Sequence, residues 1–133
     1  MYLVDTNVWL ERLLDQARSD EVRKFLDRVP SEQLYITDFT FHSIGVVLTR
    51  LQRADALLRF TRDAFVEGAV GLAELEAEDM QRLVEVIAQF GLDFDDAYQY
   101  VVAERHDLIL ISFDDDFDRT ERGRRTPREI QNQ

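Results

Sequence analysis

The sequence predicts an α/β three-layer sandwich on a mostly parallel central sheet of four to five strands. Short apolar runs at 2–4, 34–36 and 108–111 alternate with amphipathic stretches of helical period, the pattern of strands joined by helical crossovers. The last run, Leu108-Ile109-Leu110-Ile111, has no polar interruption, as expected of a strand covered on both faces. With 133 residues, 45% of them hydrophobic and 11% aromatic, the chain carries enough apolar mass for one core, so residues 1–133 read as a single domain.

Tyr2-Leu3-Val4 is the first strand and ends at Asp5-Thr6-Asn7, a polar turn into a helix marked by Val8, Trp9, Leu13 and Leu14. Ser19-Asp20-Glu21 places acids at the start of a second helix, whose apolar face is Val22, Phe25, Leu26 and Val29 and whose stop is Pro30. Leu34-Tyr35-Ile36 is the next strand. Thr37 or Asp38 caps a third helix with Ile44, Val47, Leu48 and Leu51 in a stripe running towards Arg53. A further helix is expected over 54–65, then a strand bounded by glycine over 68–72. Residues 76–90 form an amphipathic helix ended by Gly91, and residues 95–105 a last helix that feeds the strand at 108–111.

Composition removes several function classes. Without cysteine the chain has no disulfide, thiolate zinc site or cysteine nucleophile, so any metal is held by oxygen or histidine. No apolar run approaches the roughly 18 residues of a membrane helix, and Met1 leads into Tyr2 without a signal-like segment, so a soluble, cytoplasmic protein without membrane contact is expected. A net charge of −11 argues against a general nucleic-acid coat. The basic tail over about 119–133 departs from this, with five arginines against Glu121 and Glu129; it reads either as a solvated C-terminus or as a phosphate or partner contact.

Three carboxylate groups fall where a parallel sheet places its functional pocket, beyond the carboxyl ends of strands. Asp5 ends the first strand, Asp114-Asp115-Asp116 follows the last, and Asp95-Asp96 opens the helix between. Each alone reads as a turn or cap residue; together they suit a hard divalent cation, which offsets their mutual repulsion and supports phosphodiester hydrolysis.

Val4-Asp5-Thr6-Asn7-Val8, Asp96-Ala97 and Ser112-Phe113-Asp114-Asp115-Asp116-Phe117, in this order and spacing, resemble the PIN domain, and within it the VapC-like toxins of type II toxin–antitoxin systems. The resemblance covers essentially the whole chain. It implies a PIN-like sandwich and an endoribonuclease dependent on Mg²⁺ or Mn²⁺. Asp5, Asp96 and Asp114 match the family's catalytic metal-site acids, and Asp116 is an auxiliary metal ligand. Thr6 and Asn7 are supporting residues, Thr6 bonding within the site and Asn7 fitting a polar N-cap. An RNA substrate, an antitoxin partner and a homodimer are implied as well.

The family places a glutamate on the third helix, where this chain has Ser43. Asp38 lies about 140° and His42 about 100° around the helix from that position, so neither substitutes directly. A catalytically weakened PIN-fold module that binds RNA or protein is therefore the competing reading. A receiver domain is excluded because Lys24, the only lysine, sits in an early helix, and an aspartyl phosphatase because position 7 is Asn7.

Overall fold

The computed structural model describes residues 1–130, so the end of the basic tail lies outside the described residues. Strands β1 (Tyr2–Val4), β2 (Leu34–Thr37), β3 (Gly71–Ala73) and β4 (Ile109–Ile111) form a parallel sheet in the order β3-β2-β1-β4. Helices α1 (Thr6–Leu13), α2 (Ser19–Arg28), α3 (Asp38–Arg50), α4 (Ala54–Thr61), α5 (Met80–Phe90) and α6 (Phe94–His106) make the connections. A bridge from Ile111 to Arg125 extends the sheet beyond β4 by one parallel contact.

Period-two alternation of the strands divides the interior into two layers. Tyr2, Val4, Leu34, Ile36 and Ile111 pack against α1 to α4, including Trp9, Phe25, Ile44 and Phe60. Leu3, Ala73 and Leu110 face the other way, against Leu83 and Val86 of α5 and Tyr100, Val101 and Val102 of α6. The three-layer sandwich follows, with every pairing in its sheet parallel. None of the described helices is long and apolar enough to cross a membrane.

Several boundaries differ from expectation for local reasons. The third helix ends at Arg50 rather than Arg53, because Gln52 turns left-handed (φ 58°) and the Arg53 amide closes back on Leu48. The strand expected over 68–72 forms at Gly71–Ala73. Gly68 sits too close to the Asp63 and Ala64 carbonyls to carry a side chain, and Val70 N–H donates to Ala64, so this stretch closes the preceding turn. Helix α6 begins one residue early, capped by Asp93; Asp95 and Asp96 lie in its first turn and are not its cap.

The chain reverses its direction of travel across the sheet beside β1. From β1 it proceeds outward to β2 and β3, and β4 then returns to β1's other side. This is the switch point at which such folds open a crevice beyond the strand ends. The Asp5 amide, donating to the Ile111 carbonyl at 2.9 Å, holds the two chain segments together there.

Candidate functional site

A pocket of about 340 Å³ opens at that point, lined by Asp5, Asp93, Asp95, Asp96, Asp114 and Asp116, with Thr6, Asn7, Ser43 and Gln99 among its other walls. Six carboxylates in this volume come from three chain segments, and no cysteine or histidine lines it.

Asp5 sits deepest, 6% exposed, with both oxygens engaged. Oδ1 accepts from the Thr6 amide and the Gln99 Nε2, each at 2.8 Å, and the former bond makes Asp5 the N-cap of α1. Oδ2 accepts from Ser112 Oγ at 2.7 Å and Asn7 Nδ2 at 3.5 Å. Burial pushes the Asp5 carboxyl above its ordinary value; hydrogen bonds from Gln99, Ser112 and Thr6 pull it down, and the Asp114 charge raises it again.

Asp96, Asp114 and Asp116 form the open part of the site. One oxygen of each lies within 4.8 Å of the others, and among the described residues this is the group with metal-ligand geometry. Asp5 is not part of that cluster but is felt there. The Asp96 carboxyl is pushed up to about 8, chiefly by desolvation, then by the charge and hydrogen bond of Asp114, with smaller contributions from Asp93 and Asp5. Asp114 is oriented from both ends: its amide donates to Ser112 Oγ (3.0 Å), and its Oδ1 accepts from the Asp116 amide (2.9 Å) in a tight 3₁₀ turn.

The polar neighbours behave differently from expectation in part. Asn7 is not an N-cap. It staples α1 to the chain after β4, donating to Ser112 Oγ (3.3 Å) and accepting from the Phe113 amide (3.2 Å). Thr6 Oγ1 pairs with Thr40 Oγ1 at 2.8 Å, and Thr40 in turn accepts from Gln99 Nε2 at 2.8 Å. Ser43 lines the pocket from α3, whereas Asp38 and His42 line a separate apolar depression with Phe41, Val46 and Leu72.

Gln99, Thr40, Ser112 and Asp93 were not among the residues read from sequence as site residues. Gln99 is 1% exposed, and its amide nitrogen ties Asp5 on one side to Thr40 of α3 on the other. Its Oε1 is buried without a hydrogen-bond partner. The available signal was spacing: Gln99 is three residues after Asp96, on the same helix face, inside an otherwise apolar stretch.

A PIN domain family model matches residues 2–123. Solved structures share the fold. A toxin–antitoxin complex from Klebsiella pneumoniae aligns at TM-score 0.77 and 24% identity over 98% of this chain and 100% of that one. FitAB bound to the IR36 DNA fragment aligns at TM-score 0.82 and 17% identity over 99% of each chain. Mycobacterium tuberculosis VapC20, a sarcin–ricin loop cleaving toxin, aligns at 0.74 and 17% over 89% and 93%. No curated protein matches the sequence. Because the family match spans all four strands, all six helices and every carboxylate of the pocket, the chain belongs to the PIN domain family.

Proposed function

We propose that the protein is an endoribonuclease that hydrolyses RNA phosphodiester bonds with a divalent cation, Mg²⁺ or Mn²⁺, and acts as the toxin of a toxin–antitoxin pair. The observation that carries this reading is the oxygen cluster of Asp96, Asp114 and Asp116 in front of a fixed Asp5, at the sheet's switch point. That the Klebsiella neighbour is a toxin–antitoxin complex and the Mycobacterium one a toxin supports the toxin assignment and an antitoxin partner; a cytoplasmic setting and a homodimer are part of the same proposal.

The donor set fits a hard cation: it is all oxygen, densely negative and, among the described residues, paired with a basic side chain only where Arg119 reaches Asp116 at 3.7 Å. Asp96, Asp114 and Asp116 would hold the ion, and the buried Asp5 would add negative charge from behind. A bound divalent ion supplies neutralisation of the scissile phosphate and activation of water for in-line attack. The protein's own part is orientation. Gln99, Ser112 and the Thr6 amide fix Asp5, and Ser112 couples it to Asp114. Asp93 N-caps the turn carrying Asp96.

Cleavage of structured RNAs with Mn²⁺, Mg²⁺ or EDTA tests the proposal. Cutting should require the metal, and Asp5→Asn should lower it by at least about a hundredfold. Metal-independent cutting, or full activity in Asp5→Asn, would refute it.

Ser43 favours a second reading, a module with weakened catalysis, since α3 contributes a neutral hydroxyl to the acidic pocket. Calorimetric Mn²⁺ titration of Ser43→Glu separates the two. Affinity rising about tenfold with faster cleavage supports a working but under-liganded site. Neither metal binding nor cleavage in either protein supports the binding module.

A further inference from the structure

From Phe39, in one wall of the acidic pocket, a row of aromatic rings leads away to the surface, and the proposed metal chemistry does not use it. Phe39 lines the pocket from the first turn of α3. Tyr98 of α6 lies beside it, ring centroids 6.2 Å apart, and Phe94 continues the row at a further 6.2 Å. Phe94 is 50% exposed and stands between Asp93 and Asp95, both of which line the pocket. The middle ring is locked in place. Its hydroxyl accepts from the Leu75 amide and donates to Asp38 Oδ1, both at 2.9 Å, and the same Asp38 oxygen accepts from the Phe39 amide at 2.8 Å. The exposed ring is therefore the open end of a preorganised row of tilted rings.

Charge decides what this wall can hold. Asp93, Asp95 and Asp96 flank Phe94 in sequence and line the pocket beside it, and among the described residues no arginine or lysine forms an ion pair with any of them. Phosphates are repelled here, while a neutral nucleobase is not. A base–aromatic contact binds single strands without needing positive charge, because each base offers a π-face. We propose that Phe94, backed by Tyr98 and Phe39, is a stacking subsite for an unpaired nucleobase adjoining the phosphate presented to the carboxylates. This rests on the RNA-cleaving reading, and it restricts the substrate to unpaired or splayed-out nucleotides.

The test uses an Asp5→Asn background, to bind without cutting, and a short single-stranded RNA carrying one 2-aminopurine. An abasic ribose-phosphate strand of equal length serves as the control probe. Phe94→Ala should weaken the base-containing probe by about five- to a hundredfold and relieve 2-aminopurine quenching. Phe94→Trp should retain both, and the abasic probe should not distinguish the variants. The salt dependence of affinity should stay unchanged, since no phosphate contact is lost. Equal affinity of parent and Phe94→Ala, or an equal loss on the abasic probe, overturns the subsite. So does a change of molecular mass by light scattering with RNA affinity intact, which would assign Phe94 to a protein contact. If the wild-type chain cleaves RNA and binds Mn²⁺ while Phe94→Ala is indistinguishable from its parent, the subsite alone fails. If the wild-type chain does neither, the ribonuclease reading fails with it.

Discussion

Desolvation and the nearby Asp114, Asp93 and Asp5 charges push the Asp96 carboxyl up to about 8 in the metal-free protein, against an ordinary 3.8 once the chain unfolds. A group whose folded value is raised binds its proton more tightly in the native state. Its contribution to stability is complete below about pH 4 and is lost as pH climbs through 8. Asp5 is shifted in the same direction, chiefly by burial. Ion-paired carboxylates such as Asp20, Asp55 and Glu104 are shifted down, so their losses fall at more acid pH, outside this window. Thermal melts of the metal-free protein should therefore show the midpoint falling between pH 5 and 8, with a shallower fall in Asp96→Asn. Saturating Mn²⁺ should invert the trend, because the ion binds the deprotonated acids. A flat profile identical in wild type and Asp96→Asn would remove Asp96 from the charge cluster.

Helix α6 delivers both the open ligand and the buried support: Asp96 in its first turn, Gln99 one turn later. Its start is fixed by Asp93, whose Oδ1 accepts from the Asp96 amide at 2.8 Å, and Gly91, in the left-handed region (φ 68°), ends α5 just before it. Asp93→Ala should cost about 1 kcal/mol in urea denaturation and weaken Mn²⁺ binding by freeing Asp96, whereas Asp93→Asn keeps the cap and should cost a few tenths. Equal stability of the Ala and Asn variants would show that the cap does not order this turn. This element also shows what sequence alone exposes. Asp5 and Asp114 were legible because each follows an apolar run, and strand ends in a parallel sheet meet at one edge. The Asp93 cap was not, since three acids at 93, 95 and 96 all satisfy the helix-start preference. Gln99 was hidden for another reason: its three-residue spacing from Asp96 is a signal only once Asp96 is known to face the site, and its burial arises only when α6, β1 and α3 converge.

Across the whole molecule the net charge of −11 opposes RNA, and the basic tail does little to relieve it. Four of its five arginines are held in ion pairs within the chain: Arg119 with Asp116, Arg122 with Asp107, Arg124 with Asp118 and Arg128 with Glu21. Arg18, in a separate depression with Asp20, Glu21 and Lys24, differs. Its guanidinium lies 4.5 Å from the centre of the Phe113 ring, next to Asp114 in sequence, and it forms no ion pair among the described residues. Its contact with the residue preceding Asp114 makes it the candidate phosphate contact for RNA approaching the acidic site. With the pocket lined by carboxylates and no cation, RNA should be held there through one or two phosphate contacts, giving log affinity against log salt a slope of about −1. Measured in the Asp5→Asn background, Arg18→Ala should weaken all short single-stranded RNAs alike, by about tenfold, and flatten the slope by about 0.7. A steep slope near −5 that Arg18→Ala leaves untouched would mean that the phosphates are gripped by residues this chain does not supply alone, and the second copy or partner protein would then be the RNA-binding surface.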